Sequence, residues 1–256
     1  MKFIILGCGS SMGVPRTDGY FGKCDPKNKK NYRTRCSALI KTKSENILID
    51  SSPDLRQQLI NNKIKKIDKV FYSHLHADQT HGINDLRVFY IKNKKTIPVY
   101  ADNRTKNYLL NTFRYCFVNN NREYPAILKL NPIKKILSIS DGSKKLPVKS
   151  IKVKHGLIDS ICYIIDKKLA YISDISDIAK KDYKYFQNLK YLIIDCLWIK
   201  YHPSHLNLEN SLRFINLFKP KKAILTNLHS DLDYGRLKRI LPKHIVPAYD
   251  GLTINL

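Results

Sequence analysis

The sequence lacks any apolar run that could cross a membrane. At the N-terminus, residues 1–6 give way at once to Gly7, Gly9 and Gly13, whereas a spanning helix needs roughly 20 apolar residues and a secretory signal a core of about 7–15. The stretch reads as a first β-strand, and the expectation is a cytoplasmic protein with no membrane partner. Paired cysteines are missing too. The six cysteines, at 8, 24, 36, 116, 162 and 196, form no CxxC pair, which favours free thiols in a reducing compartment over a disulfide framework. Acidic residues are scarce: 21 Asp and Glu face 46 Lys and Arg, for a formal charge of +25. That balance attracts anionic substrates and polyanions in a salt-sensitive way. The lysine-rich stretches 27–30, 63–66 and 134–145 are spread along the whole chain among Ile and Asn. This is the pattern of a lysine-biased composition, so a solvated basic surface is favoured over a dedicated nucleic-acid face. No linker or internal repeat stands out in the 256 residues, so one domain over 1–256 is expected.

What the chain does contain is short runs rich in Ile, Val and Tyr, at 3–6, 46–49, 69–72, 97–100, 151–153, 161–165, 169–172, 191–194, 223–225 and 245–246. These read as strands. Helical spacing is clearest at Leu208, Leu212, Ile215 and Phe218, with Asn207 to cap the start and Pro220 to stop the end. A second helix is expected over 53–61, with proline in its first turn. Residues 103–126 look helical and then loop-like near 119–122, a segment that could lie over a site. The alternation points to a layered α/β protein.

The most informative stretch is Phe71-Tyr-Ser-His74-Leu-His76-Ala-Asp78-Gln79-Thr-His81-Gly82. It follows an apolar strand and precedes a helix, the position where α/β proteins place their sites. Two histidines at i and i+2 and a carboxylate two further on can converge on a metal only from a tight strand-to-helix turn. A lone histidine here would more often be an ordinary hydrogen-bonded residue. Three histidines and an aspartate within eight residues, in a chain with only eight histidines, indicate metal binding. Further ligands should come from the ends of later strands. Three residues fit: His155 after 151–153, Asp174 after 171–173, and His229 after 224–227.

With these residues in view, the sequence resembles the metallo-β-lactamase superfamily, and more closely its PhnP-like branch of cyclic-phosphate phosphodiesterases, with tRNA 3′-processing endonucleases as more distant relatives. The resemblance is carried by Gly7-Cys-Gly-Ser-Ser-Met-Gly-Val-Pro15, Cys24-Asp-Pro-Lys, Arg33-Thr-Arg-Cys-Ser37, Ile49-Asp50-Ser-Ser-Pro53-Asp54-Leu-Arg56, the histidine motif with Gly82-Ile-Asn-Asp85-Leu-Arg87, His155-Gly156, Tyr171-Ile-Ser-Asp174, His202-Pro-Ser-His205, Thr226-Asn-Leu-His229-Ser-Asp-Leu-Asp233-Tyr and Ala248-Tyr-Asp-Gly251. It implies a four-layer αββα sandwich with a site at one edge. It further implies that His74, His76 and His155 hold one divalent ion, zinc or manganese, while Asp78, His229 and a bridging Asp174 hold another. Asp50 resembles the family's buried aspartate that orients the histidine loop.

One position departs from the pattern. The superfamily places a histidine directly after the motif aspartate, and here that residue is Gln79. An amide is a poorer zinc ligand than imidazole, so the second ion is expected to be weaker, different or missing. His81 is a candidate substitute ligand, or else a residue behind the ligands. The cysteine-rich structural zinc carried by some relatives is not expected, since only Cys24 and Cys36 lie in that region.

Such parts imply a metal-dependent hydrolase in which a metal-bound hydroxide attacks a phosphodiester. Asp78 would orient the nucleophile, and His205, or alternatively His202, would give the leaving oxygen its proton. The Gly7–Gly13 loop could present backbone N–H groups to phosphate. The leading expectation is therefore a phosphodiesterase acting on a small, cyclic or linear, phosphodiester. Alternatives are an RNA 3′-end nuclease, a thioester or lactam hydrolase on the same fold, and a non-catalytic basic nucleic-acid-binding protein. Substrate and oligomeric state stay open, a homodimer included.

Overall fold

The computed structural model describes residues 1–119 and 125–256. In chain order the first half builds β1 (Lys2–Gly7), β2 (Ser37–Lys41), β3 (Asn46–Ile49), α1 (Leu55–Asn61), β4 (Lys69–Phe71), α2 (Ala77–Thr80), α3 (Arg87–Asn93), β5 (Ile97–Ala101), α4 (Asn103–Thr112), α5 (Arg114–Phe117) and β6 (Leu128–Pro132). The second half builds β7 (Ile136–Asp141), β8 (Lys144–His155), β9 (Ile158–Ile165), β10 (Leu169–Ile172), β11 (Tyr191–Asp195), α6 (Leu208–Phe218), β12 (Lys222–Thr226), α7 (Tyr234–Ile240), β13 (Ile245–Pro247) and β14 (Leu252–Asn255). Two seven-stranded sheets result, ordered β14-β1-β2-β3-β4-β5-β6 and β13-β12-β11-β10-β9-β8-β7.

Alternation along the strands explains why the sheets stack and still carry helices outside, since successive side chains point to opposite faces. From β1, Phe3 and Ile5 enter the layer between the sheets, where they meet Phe71, Tyr163, Tyr171 and Ile193. Ile4 and Leu6 point the other way, into a cluster with Leu55 and Leu59 of α1, Phe89 of α3 and Leu109 of α4. On the outer face of the second sheet, Ile172, Ile194 and Leu225 pack under Phe214, Ile215 and Phe218 of α6 and Leu237 of α7. The result is the helix, sheet, sheet, helix layering of the αββα sandwich. Strands covered on both faces read as continuous apolar runs, which is why they were visible in the sequence.

Several details differ from the expectations. Pro53 precedes α1 rather than sitting in it, because that helix begins at Leu55. His155 is the last residue of a twelve-residue strand, β8, and does not follow a three-residue one. The helical part of 103–126 packs Leu109, Phe113 and Cys116 into the outer cluster of the first sheet. Of the loop expected at 119–122, residues 120–122 lie outside the described residues. The α6 reading matches its observed span, and Asn207 accepts from the Asn210 N–H as its cap.

Strand direction is what positions the site. β8 is antiparallel to β9 and β9 to β10, while β10, β11 and β12 are mutually parallel. Hence β8, β10, β11 and β12 all end on one edge. In the first sheet β1, β3 and β4 likewise share a direction, and the loop after β1 joins the one after β12 through Leu228 N–H to the Cys8 carbonyl at 2.8 Å.

Asp250 ties this corner together. Its Oδ1 accepts from the Cys8 N–H at 3.1 Å, and its Oδ2 accepts from the Thr34 N–H at 2.8 Å and the Thr34 hydroxyl at 2.6 Å. Burial outweighs these donors and pushes the carboxyl up to about 6. The folded chain therefore binds this proton more readily than the unfolded chain, and the group's contribution to stability falls as pH rises from about 4 through 6. Asp250→Asn turns an amide N–H toward a backbone N–H, at a cost of about 1–3 kcal/mol. In urea unfolding, the stability difference between wild type and variant should be larger near pH 4 than above pH 6; a pH-independent difference contradicts the assignment.

Candidate metal centre

The turn required between the two motif histidines is present: β4 ends at Phe71, His76 precedes α2, and Asp78 lies in that helix's first turn. The turn is held from behind by Asp50. This residue sits at the end of β3 with a positive φ of 61°, and its Oδ1 accepts from the Ser73 N–H at 2.7 Å. Asp50 is fully buried, and burial drives its carboxyl well above the usual range, with Asp174 and Asp78 adding to the effect. Gly82 lets the motif pack closely, because a Cβ there would meet the Ser52 carbonyl oxygen at 2.0 Å.

Three ring nitrogens converge. His74 Nε2 lies 3.0 Å from His76 Nδ1, and His155 Nε2 lies 3.3 Å from the same atom. Nitrogens held about 2.0–2.1 Å from a tetrahedral zinc stand roughly 3.3–3.4 Å apart, so the spacing suits one ion. The far nitrogens are committed elsewhere. His155 Nδ1 lies 2.7 Å from the Ser204 carbonyl oxygen, which only accepts, so the proton is on Nδ1 and the lone pair on Nε2. His74 Nδ1 pairs with the Ser73 hydroxyl at 2.9 Å. Gly156, at φ 60°, allows the Ser204 contact, since a Cβ there would lie 2.7 Å from the Ser204 Cβ. Burial keeps all three rings neutral, lowering His74 to about 3 and His76 and His155 below their ordinary value. Neutral imidazole is the ligating form.

Carboxylates stand beside the imidazoles. Burial, then the charge of Asp174, raises Asp78 to about 6. Burial also works against the charge of Asp174, but the surrounding imidazoles, of which His205 is the one that keeps its proton, outweigh it and hold that carboxyl below its ordinary value. Among the described residues, two sets bring ligand atoms within 4.8 Å of one another: His74 with His76 and His155, and His155 with Asp174 and His205. A cavity of about 330 Å³ opens over them, lined by Ser10–Met12, His76, Asp78, His155, Asp174, Trp198, His202, His205 and His229 among others. His229 therefore reaches the cavity, but neither it nor Asp78 belongs to a convergent set.

Gln79 is buried between the acids, its Nε2 donating to Asp78 Oδ2 at 3.0 Å and Asp174 Oδ2 at 3.3 Å. His81 is the one expected residue the structure takes away from the site. It follows α2, and its Nε2 pairs with the Tyr108 hydroxyl at 2.8 Å, while its ring meets Phe113 edge-on.

His205 and His202 both border the cavity, but differ in support. His205 Nδ1 lies 2.9 Å from Asp195 Oδ2. Burial opposes its charge, yet the Asp195 carboxylate outweighs burial and lifts it to about 9. His202 has only Ser204 against its Nδ1, and burial lowers it. Asp195 was missed in the sequence. The signal was there, since Tyr191-Leu-Ile-Ile-Asp195 ends an apolar run in a carboxylate just as Leu169–Ile172 leads to Asp174. Trp198, the sole tryptophan, left no such signal; its indole N–H donates to Asp231 at 2.7 Å and its ring lies against His229.

Residues 45–227 match the family model described as Beta-lactamase superfamily domain. An octanoyltransferase of Porphyromonas gingivalis (strain ATCC BAA-308 / W83) is 32% identical over 98% of this chain and 51% of its own length, so the chain spans about half of that curated relative. Among solved structures, a new diphosphatase from the PhnP family superposes with a TM-score of 0.87 at 28% identity, covering 100% of this chain and 97% of that one. Zinc-bound PqqB from Methylobacterium extorquens gives 0.76 at 17%, covering all of both chains. The short form of human tRNase Z gives 0.70 at 17%, covering 100% and 99%. The last two show the fold alone.

Removing the Asp50 carboxylate frees the Ser73–His74 turn. Asp50→Ala is expected to weaken divalent-ion binding about 10–100-fold in chelator competition, and unchanged affinity would contradict the role given to it.

Proposed function

This chain belongs to the beta-lactamase superfamily, and we propose that it is a metal-dependent hydrolase that cleaves a small phosphodiester. The observation that carries the reading is one cavity holding neutral imidazoles that fit a divalent ion, a carboxylate able to steer water, and a histidine that keeps its proton at neutral pH. We assign His74, His76 and His155, with Asp174 beside them, to hold the ion, zinc or manganese. When bound, the ion supplies Lewis-acid chemistry that makes water a competent nucleophile near neutral pH and offsets charge on phosphoryl oxygens.

The chain's own groups do the rest. Asp78 accepts a hydrogen bond from the attacking water, fixes its direction and takes up the proton that the water oxygen sheds as it bonds to phosphorus. As the water oxygen bonds to phosphorus, the bond from phosphorus to the leaving oxygen breaks, and His205 gives that oxygen its proton. Asp195 then stabilises the orientation and charge of the ring throughout. Among the described residues the hydroxyl of Ser10 is buried without a partner, and its residue lines the cavity, which supports the Gly7–Gly13 loop as the cradle for phosphoryl oxygens. A charge of +25 favours anionic substrates generally.

The relative described as a diphosphatase, 28% identical over the whole chain, favours a second reading. In it the same groups attack a phosphoanhydride bridge, with a phosphate as the leaving group. The octanoyltransferase name belongs to a protein about twice as long, about half of which is similar to this chain, and acyl transfer is not the reading proposed here.

With zinc or manganese the protein is expected to hydrolyse bis-p-nitrophenyl phosphate and a ribose cyclic phosphate. His76→Ala or Asp78→Ala should lower kcat at least about 100-fold. Full activity in either variant contradicts the reading, and turnover of a dinucleoside diphosphate bridge alone selects the second one. His205→Gln should slow the ribose ester about 100-fold but the nitrophenyl ester far less, because nitrophenolate departs without a proton. Equal losses on both esters would remove His205 as the acid.

A further inference from the structure

We infer that the centre holds one divalent ion rather than two, because the Gln79 side-chain amide occupies the place a second cation would need between Asp78 and Asp174. The inference rests on the reading of His74, His76 and His155 as an ion site.

An amide –NH2 has two protons to give. At Gln79 both have a recipient, Asp78 Oδ2 at 3.0 Å and Asp174 Oδ2 at 3.3 Å. Turning the amide over would set its oxygen against two carboxylate oxygens with no proton between them, so the donor orientation is the one chemistry allows. In that orientation the amide oxygen is buried and makes no hydrogen bond among the described residues, a cost that the two charge-assisted bonds offset. The N–H groups thus bridge the two acids as a cation would, without a lone pair to offer one.

His229 points to the same conclusion from the opposite wall. Its Nδ1 accepts from the Asp231 N–H at 3.2 Å, and the Asp231 carboxylate is too far, at 3.8 Å, to take a proton from that nitrogen. Nδ1 therefore carries the lone pair in the neutral ring, and Nε2 carries the proton. An Nε2–H suits an anionic oxygen and not a metal. The two convergent ligand sets both run through His155, and neither includes Asp78 or His229, which places a single ion on the His155 side. The other half of the centre is a donor surface for phosphoryl oxygens.

The test is metal content of the full chain after saturation with manganese or zinc and removal of free ions. Wild type should retain one equivalent. Gln79→His, which replaces the bridging donor with a ligand, should retain two. Two equivalents in wild type overturn the inference while leaving the hydrolase reading intact, and none in wild type overturns both. One equivalent in both chains overturns the part given to Gln79. Should the variant not fold, manganese electron paramagnetic resonance on wild type decides alone. An isolated-ion spectrum supports the single-ion centre, and a spin-coupled pair contradicts it.

Discussion

The site exists because strands from two sheets end together. β8, β10, β11 and β12 in one sheet and β1, β3 and β4 in the other point their C-terminal ends at a shared edge. His155, Asp174, His205 and His229 are drawn to one cavity from positions up to 74 residues apart, from 155 to 229, and the 74–78 turn meets them from the facing sheet. No contact within the cavity could survive a strand running the other way. The apolar layer between the sheets, from Phe3 and Phe71 to Tyr163 and Tyr171, is therefore what fixes the distances among the imidazoles.

Burial then sets the chemistry. The same low-polarity surroundings that strip protons from His74, His76 and His155 would penalise Asp50, Asp78, Asp174 and Asp195 as free anions. The arrangement is consistent only if positive charge reaches those acids. His205 provides some of it through Asp195, the Gln79 amide provides partial charge, and a divalent ion at the three imidazoles would provide the rest. The cluster is thus a preorganised well for a cation on one side and for an anion on the other.

Much of this was legible in the sequence, for physical reasons that also mark its limits. Doubly covered strands read as apolar runs, so β1, β3, β4, β10, β11 and β12 stood out. The edge strands β7 and β14 and the interior β2 did not, because Ile136–Asp141 and Leu252–Asn255 are covered on one face or are very short, and Ser37–Lys41 follows directly on a polar turn. Residues at strand ends could be ranked as ligands from position alone, yet Asp195 was passed over beside Asp174. His81 drew attention by proximity, but the direction of a side chain leaving a four-residue helix is set by tertiary contacts, here Tyr108 and Phe113. Gln79 was recognisable as an exception; that its amide spans two carboxylates follows only from the folded structure.

The central claim is that His74, His76 and His155 close on one divalent ion. Anomalous diffraction from zinc-loaded crystals, recorded at the zinc edge, tests it most directly. The account predicts a peak about 2.0–2.1 Å from His74 Nε2, His76 Nδ1 and His155 Nε2. A well-ordered cavity with no peak there, or with the peak at His229 and Asp78 instead, would contradict it.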